Sequence, residues 1–214
     1  YLSGYFGRDV FKFKSGERAF SVELPYGNAT STLRWNHILK ENLFANFSMI
    51  YNDYNFQLNG GQEEFQVRLN SGVRDFSIKS DLDYYPSPSH HIKTGLRHTY
   101  HQLTPNIVSA TNGEVEFKSN LTKKFAHESE LYLSDDWKLN SGLSVNYGLR
   151  LSAFVFLGPY KSSLQNIDFE KGQIVKTYFV PEPRFVFNKK LDKNSSLKGG
   201  FTLASQYLHL VSNS

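Results

Sequence analysis

Residues 139–157 read LNSGLSVNYGLRLSAFVFL, and this stretch decides the fold class. Every odd position from Leu143 to Leu157 is apolar, whereas the even positions begin Ser144, Asn146, Gly148, Arg150, Ser152. Successive side chains of a β-strand point to opposite faces, so the pattern predicts a strand with one apolar and one polar face. At roughly 3.3 Å per residue the 15 residues would extend on the order of 50 Å. That is much longer than a usual strand of roughly 5 to 6 residues.

The same period of two recurs along most of the chain. Sustained alternation of this kind favours strands over helices. The predicted strands are 29–37, 43–56, 73–85, 91–103, 124–139, 142–157, 177–190 and 196–210. Residues 1–28 are predicted to be an extracellular loop region with part of another strand in RDVFKFKSG, residues 8–16.

Short and long spacers alternate between these runs. The short, turn-like ones are KEN at 40–42, PSPS at 86–89, LNSG at 139–142 and LDKNS at 191–195. The long ones are 57–72, 104–122 and 158–176, which are rich in Gly, Asn, Ser and charge. This asymmetry is typical of outer-membrane barrels, with short periplasmic turns and longer extracellular loops. The sequence therefore predicts an all-β fold, an antiparallel transmembrane β-barrel segment of about eight long strands.

Composition removes several other classes of protein. The chain has no Cys, which excludes disulfide scaffolds and cysteine zinc sites, and it has 13 Tyr and 18 Phe, which favour strands. Its net charge of +4 is spread along the chain without a basic block, so no nucleic-acid partner is inferred. No apolar run approaches the roughly 20 residues of a membrane-spanning helix, and strands that alternate lipid-facing and lumen-facing residues remain compatible with low hydropathy.

A soluble sandwich or barrel is the main alternative, since its strands also alternate. Two features weigh against it: the runs are long, and their polar faces carry charges of both signs. Aromatic residues beside the short turns also fit a girdle at a membrane interface, namely Tyr84, Tyr85 and Trp137.

The segment FAHESELYLSDDWKLNSGLSVNYGLRLSAF, residues 125–154, resembles the barrel of TonB-dependent outer-membrane receptors. The matching features are Glu130-Leu131-Tyr132, the Asp-x-Trp ending in Trp137, the NSG turn and the Gly-x-Arg ending in Arg150. The stretch VPEPRFVFNKKLDKNSSLKGGFTLASQYLHLVSNS, residues 180–214, is similar to the family's Pro-x-Pro-Arg strand, its turn and its following Gln-Tyr. The resemblance is to the Bacteroidota type of receptor.

The resemblance implies a barrel of about 22 strands filled by an N-terminal plug, and such a barrel would need roughly 600 residues before the plug is added. We therefore expect 29–214 to be a partial transmembrane barrel of a longer receptor, with the plug and the TonB box outside this chain. The implied function is active uptake of a scarce nutrient across the bacterial outer membrane. The implied partners are outer-membrane lipid, the inner-membrane TonB complex that acts through the plug, and a lipoprotein. The ligand stays open between a siderophore, cobalamin, a glycan and a peptide.

Charged residues on the polar faces are the predicted lumen wall: Asp81, Lys93, Arg97, Glu130, Arg150 and Arg184. If PSPS is a hairpin turn, Asp83 lies near Lys93, and Asp81 lies near Lys93 or Arg97. The LNSG turn brings Tyr132 close to Arg150, with Glu130 diagonal to it. Such a wall could contact a plug and a passing substrate, or it could simply be a ladder of salt bridges.

Residues of the long loops are the predicted ligand-binding group, because binding residues concentrate in loops over a rigid scaffold: Gln62, Arg68, Tyr160 and Lys161. No metal site, cofactor or enzymatic activity is predicted. His98 and His101 point to opposite faces of one strand, so they cannot chelate one ion. The sequence contains no GxSxG, P-loop or HExxH motif.

Two further hypotheses remain. The chain could be a complete, small structural or adhesive outer-membrane barrel of eight strands, which requires 196–210 to pair with 29–37. It could also be a soluble carbohydrate-binding β-domain, in which the apolar faces are buried in protein.

Overall fold

A computed structural model describes residues 1–16, 20–62, 64–112, 115–119, 122–162 and 167–208. The described residues form an all-β structure dominated by one antiparallel sheet. In these ranges, no helix is long and apolar enough to cross a membrane.

The described residues contain twelve strands. They are β1 (Leu2–Ser15), β2 (Phe20–Lys40), β3 (Leu43–Gln62), β4 (Phe65–Ser87), β5 (His90–Asn112), β6 (Val115–Lys118), β7 (Lys124–Asn140), β8 (Leu143–Leu157), β9 (Tyr160–Ser162), β10 (Ile167–Phe169), β11 (Ile174–Lys190) and β12 (Ser196–Thr202). Eight of them have at least 14 residues.

The main sheet has ten strands in the order β1-β2-β3-β4-β5-β7-β8-β11-β12, with β6 paired to β5. Neighbouring strands on this path are antiparallel. They follow one another in the order of the chain, with β6, β9 and β10 left out of the path. Strands β9 and β10 form a separate two-stranded sheet. Among the described residues β1 and β12 do not pair with each other, so the sheet has two edges and is not closed.

The strands are longer than the periodicity predicts, because hairpins extend through most of the predicted loops. Residues 57–62 end β3, residues 65–72 begin β4, and 104–112 continue β5. The region 1–28 is predicted as loop with part of a strand, and its described residues form β1 and the start of β2. The described part of 158–176 holds β9, β10 and the start of β11. At the other extreme, β12 ends at Thr202, well short of the predicted residue 210.

Cross-strand pairing brings the odd residues of β3 onto one face with the even residues of β4 and β5. This face, here called the apolar face, carries large exposed side chains on every long strand from β2 to β11. Examples are Trp35, Met49, Ile78, Leu96, Leu131, Leu149 and Phe185. On β3, β4 and β5 the mainly apolar stretch is nine residues high, covering 43–51, 76–84 and 92–100. Ser80, Thr94 and His98 are the polar side chains of this face within it.

An ion pair lies on this face at the end of the apolar stretch that is marked by Tyr51 and Phe76. Asp53 follows Tyr51 on β3, and Arg74 precedes Phe76 on β4. The guanidinium Nε of Arg74 donates a hydrogen bond to the Asp53 carboxylate at 2.8 Å. Beyond this pair the strands continue, and the part of the sheet beyond it is here called the arm. In the arm, polar residues continue this face, and Tyr54, Leu58 and Leu69 lie on the other.

The opposite end of the sheet has short connections at 41–42, 88–89, 141–142 and 191–195. The last of these is closed by Asp192, whose carboxylate accepts the backbone N–H groups of Asn194 and Ser195 at 2.7 and 2.8 Å. The N–H of Asn194 is the main reason that the pKa of Asp192 lies below its usual value.

Candidate functional site: the polar wall

The face opposite the apolar one is covered by polar and charged side chains, and we call it the polar wall. Register places its residues in rows that run across six strands, from β3 to β11. One row is Asn46, Asp81, Gly95, Tyr132, Arg150 and Glu182. The next row is Ser48, Lys79, Arg97, Glu130, Ser152 and Val180. Because neighbours in a row lie directly opposite each other, their charges can pair between strands.

In the first row, Tyr132 of β7 reaches across β5 to a carboxylate of β4. It can do so because Gly95 lies between them, and a Cβ at that position would be 2.6 Å from the Tyr132 hydroxyl. The hydroxyl donates to Asp81, and Lys79 Nζ lies 2.9 Å from the other oxygen of that carboxylate. Because Gly95 has no side chain, the Tyr132 ring can cross β5 and connect β7 to β4.

Farther along the same row, Arg150 of β8 lies between two carboxylates. Its Nε donates to Glu182 of β11, and its Nη1 lies 3.6 Å from Glu130 of β7. The side chain of Glu182 is only 2% exposed. Its second oxygen accepts hydrogen bonds from the Ser152 hydroxyl at 3.2 Å and the Ser205 N–H at 2.9 Å. Burying a carboxylate costs the free energy of its hydration. The hydrogen bonds from Arg150, Ser152 and Ser205 offset that cost for Glu182.

The segment after β12 folds back over this part of the wall. Tyr207 stacks on Phe154 with ring centroids 5.1 Å apart, and its hydroxyl lies 2.7 Å from the Ser152 hydroxyl. Ser205 adds its backbone N–H to Glu182. Residues 203–208 thus leave the sheet and cover the buried carboxylate.

A second cluster joins β4, β5 and β7 through His101. The ring Nδ1 lies 2.8 Å from Asp75, and Nε2 lies 3.2 Å from Glu128. A neutral imidazole has only one N–H, so two carboxylate partners require the doubly protonated form, in which both nitrogens donate. Directly beside it, the hydroxyls of Ser77 and Thr99 are 2.8 Å apart and buried. His101 is therefore a fixed positive charge between two negative ones.

Replacing His101 with glutamine is expected to lower the free energy of unfolding by about 2 kcal/mol, since it removes a cation that holds two charge-assisted hydrogen bonds. Urea titration of the purified protein in detergent, followed by tryptophan fluorescence, measures the loss. The matched control is His37→Gln on β2, an exposed histidine that stacks on Trp35 and whose replacement should change stability by less than about 0.5 kcal/mol. Equal stabilities of the two variants would contradict the assigned role of His101.

All six predicted wall residues lie on this face, but their partners differ from the prediction. Asp83 does pair in register with Lys93, yet its carboxylate contacts His91 at 2.8 Å. Asp81 lies opposite Gly95, and it does not pair with Lys93 or Arg97. The predicted proximity of Tyr132 and Arg150 is confirmed, as is the diagonal contact of Glu130 with Arg150.

The other predicted cations make fewer contacts. Within the described residues, Lys93, Arg97 and Arg184 form no ion pair, and the buried Nε of Arg97 has no hydrogen-bond partner. Arg184 is exposed on β11 and lies opposite Gly148. These three side chains are positive charges with no partner among the described residues, on the same face as the two clusters.

The predicted ligand-binding residues are not brought together. Gln62 ends β3, while Arg68 lies on β4, and their register places them on opposite faces of the arm. Tyr160 and Lys161 belong to the small β9–β10 sheet. There, the Lys124 ammonium lies 5.2 Å above the Tyr160 ring, and Lys161 lies 3.6 Å from Asp168. The four residues thus occupy separate surfaces.

Sequence reasoning missed the residues around the His101 cluster. Asp75 and Glu128 were visible only as polar members of alternating strands, and His101 was considered only as a metal ligand. The register of β4, β5 and β7 is the signal that joins them. His98 lies on the opposite face, as predicted, where its ring stacks on His127 at 5.1 Å.

The polar wall places fixed charges of both signs where a polar molecule could contact them. In the described ranges it has no group of three or more His, Cys, Asp or Glu arranged for a metal. Neither a scan against protein-family models nor a search of the curated proteins found a match to this chain.

Proposed function

We propose that this chain is part of the barrel of a TonB-dependent outer-membrane receptor, in which the apolar face contacts lipid and the polar wall lines the lumen. The single observation that carries the proposal is the height of the exposed apolar stretch, nine residues on β3, β4 and β5. A transmembrane β-strand needs about 9 to 11 residues. Exposed apolar patches of this extent are otherwise rare on soluble proteins.

Further observations support the same reading. The stretch ends at the ion pair of Asp53 and Arg74, where a membrane-facing surface would meet the headgroups. The aromatic residues Tyr84 and Trp137 lie near the short turns, at the other limit of the stretch. The short turns lie at one end and the arm at the other, as for periplasmic turns and extracellular extensions.

The transport role follows from the resemblance of residues 125–154 and 180–214 to that receptor family. In this role the lumen wall of Asp81, Lys93, Arg97, Glu130, Arg150 and Arg184 borders the path of the nutrient. The energy comes from the inner-membrane complex acting through a plug outside this chain, and a lipoprotein is a further partner. The ligand is a scarce nutrient of the siderophore, cobalamin, glycan or peptide class.

A complete, small barrel is the second candidate function. It has the same apolar face and polar interior, and it is favoured by the count of eight strands with at least 14 residues. The two unpaired edges at β1 and β12 favour the larger barrel, which further strands would close.

The mass of the natural polypeptide separates these candidates. Outer membranes are isolated from the source cells, and the polypeptide that contains the peptide 125–154 is identified by mass spectrometry and sized. We expect a chain several times larger than 24.6 kDa. A membrane polypeptide close to 24.6 kDa would support the small barrel and end the transport proposal. A polypeptide found only in the soluble fraction would contradict both.

A further inference from the structure

The arm contains a polar groove that the transport proposal does not use. Its volume is about 300 Å³. The side chains that define it come from five strands: Glu23, Asn59, Gln66, Arg68, Thr111 and Glu116. Carboxylate, amide, guanidinium and hydroxyl groups thus surround one cavity.

The groove opens on the same side of the sheet as the apolar face. Glu23, Asn59 and Arg68 are directly paired in register, and they continue the faces of Leu33, Met49 and Phe76 on the same strands. Asn59 lies eight residues beyond Tyr51, so the groove is on the order of 26 Å farther along β3 than the end of the apolar stretch. The groove therefore lies on the face opposite the polar wall, farther along the strands than the ion pair of Asp53 and Arg74.

Two buried acceptors on this face lack a hydrogen-bond partner within the part of the chain that the structure describes. The amide oxygens of Asn59 and Asn70 are both buried without a hydrogen bond among the described residues. Asn70 is two residues from Arg68 on β4, so it occupies the next row of the same face. Buried polar oxygens of this kind are unfavourable unless a donor reaches them. Of these two residues Asn59 lines the groove, and a molecule there that donates hydrogen bonds would satisfy its amide oxygen.

The charges restrict the chemical class of that molecule. Glu23 and Glu116 disfavour an anion, and Arg68 disfavours a cation. Glu23 is also held by Lys12, whose Nζ lies 2.7 Å from its carboxylate. A neutral molecule rich in hydroxyl groups satisfies both needs, because each hydroxyl donates to an amide oxygen or a carboxylate and accepts from a guanidinium.

We propose that this groove binds a neutral saccharide. Its volume is at the lower end of the range for ligand pockets, roughly 300 to 1,000 Å³, so it encloses about one or two sugar rings of a larger glycan. The saccharide is either the headgroup of a glycolipid or part of a free glycan. The headgroup source rests on the proposed function, since a groove above a lipid-facing surface is at headgroup height. The saccharide chemistry does not rest on it.

The test uses the natural polypeptide that carries this sequence, purified in detergent. Neutral trisaccharides of glucose, galactose, mannose and N-acetylglucosamine are the probes, and saturation-transfer NMR followed by calorimetry measures their binding. We expect at least one to bind, and both Arg68→Ala and Asn59→Leu to weaken its Kd at least tenfold. Asn59→Leu should also leave the urea midpoint unchanged or higher, because the amide oxygen that it removes is unpaired in the protein.

Matched controls are Arg8→Ala, an exposed arginine of β1 on the same face and outside the groove, and Asn28→Leu on the opposite face of β2. Both should leave the Kd unchanged. Binding of none of the four sugars, or a Kd unaltered in either groove variant, would overturn the proposal.

The source of the sugar is decided by phosphatidylcholine vesicles with and without a glycosyl diacylglycerol that carries the bound sugar. Stronger association with the glycolipid vesicles, lost in Arg68→Ala, identifies a headgroup. Equal association with both vesicles, together with binding of the free trisaccharide, identifies a free glycan. If the polypeptide proves to be soluble, the trisaccharide assay is run in buffer, so failure of the barrel proposal and failure of the saccharide proposal remain distinguishable.

Discussion

Replacing Leu149 with arginine is expected to destabilise the protein in lipid by about 2 kcal/mol, because a cation on the outer face of a barrel costs about 2 to 4 kcal/mol at the bilayer midplane and less toward the interfaces. Leu149 lies on the apolar face of β8, in one row with Ala45, Leu82 and Leu133, and 45% of its surface is exposed. The exposed part of this side chain meets solvent, and lipid is the solvent that we propose for it. Urea titration in phosphatidylcholine vesicles, followed by tryptophan fluorescence, measures the change.

The control is Ile50→Arg on the polar wall of β3, an aliphatic side chain within the same nine-residue height. There the guanidinium would enter the proposed wet lumen, beside the hydroxyls of Ser77 and Thr32, and should cost less than about 1 kcal/mol. If Leu149→Arg is harmless in vesicles while Ile50→Arg unfolds the protein, the assignment of the two faces is reversed. That result is the one expected of a soluble domain with its core on the polar-wall side.

Replacing Arg150 with methionine is expected to cost about 3 kcal/mol, because it leaves the buried carboxylate of Glu182 without its cation. The Ser152 hydroxyl and the Ser205 N–H remain as donors, and Arg150 is itself partly exposed, so the value falls at the lower end of the range for broken buried pairs. The free energy of unfolding in detergent is the quantity to measure.

A double-mutant cycle separates the lost pair from the orphaned charge. The variant Arg150→Met/Glu182→Gln removes both charges and should recover at least half of the stability that the single variant loses. Since Ser205 and Tyr207 are held by the same cluster, the single variant should also make residues 203–208 more accessible to protease. A double variant no more stable than Arg150→Met would show that the pair does not act as described.

The part of the fold that the sequence predicted best is the part with two different faces. From β3 to β11 the alternation of apolar and polar residues marks every long strand, and the short turns at 41–42, 88–89 and 141–142 are marked by Asn, Pro, Ser and Gly. The period of two is visible there because one face is apolar and the other is not.

The arm was missed because the alternation changes phase there. The apolar residues Leu58, Val67 and Leu69 lie on the face opposite to that of Met49 and Ile78, and glycine and polar residues typical of loops surround them. The strands persist because backbone hydrogen bonds continue the ladder from the lower part of each hairpin. Within 1–28 only part of a strand was predicted, at 8–16, because Gly4, Gly7 and Pro25 are poor strand formers although FKFK at 11–14 alternates.

The partners within the polar wall could not be predicted from alternation alone. The pattern assigns a face to each residue, and a turn fixes the opposite neighbour, which was enough for Tyr132 and Arg150. Which carboxylate a side chain reaches depends on its length and on gaps such as Gly95. The contacts of His101 with Asp75 and Glu128 join residues 26 and 27 positions apart, and they follow only from the full register.

The most direct test of the central proposal is to measure which solvent each face of β3 meets. The sequence has no cysteine, so single cysteines at 46, 47, 48, 49, 50 and 51 can each carry one spin label. In vesicles we expect labels at 47, 49 and 51 to be relaxed by oxygen and shielded from a water-soluble nickel complex, with the opposite result at 46, 48 and 50. Access of the nickel complex to 47, 49 and 51 would contradict a lipid-facing apolar surface and, with it, the barrel.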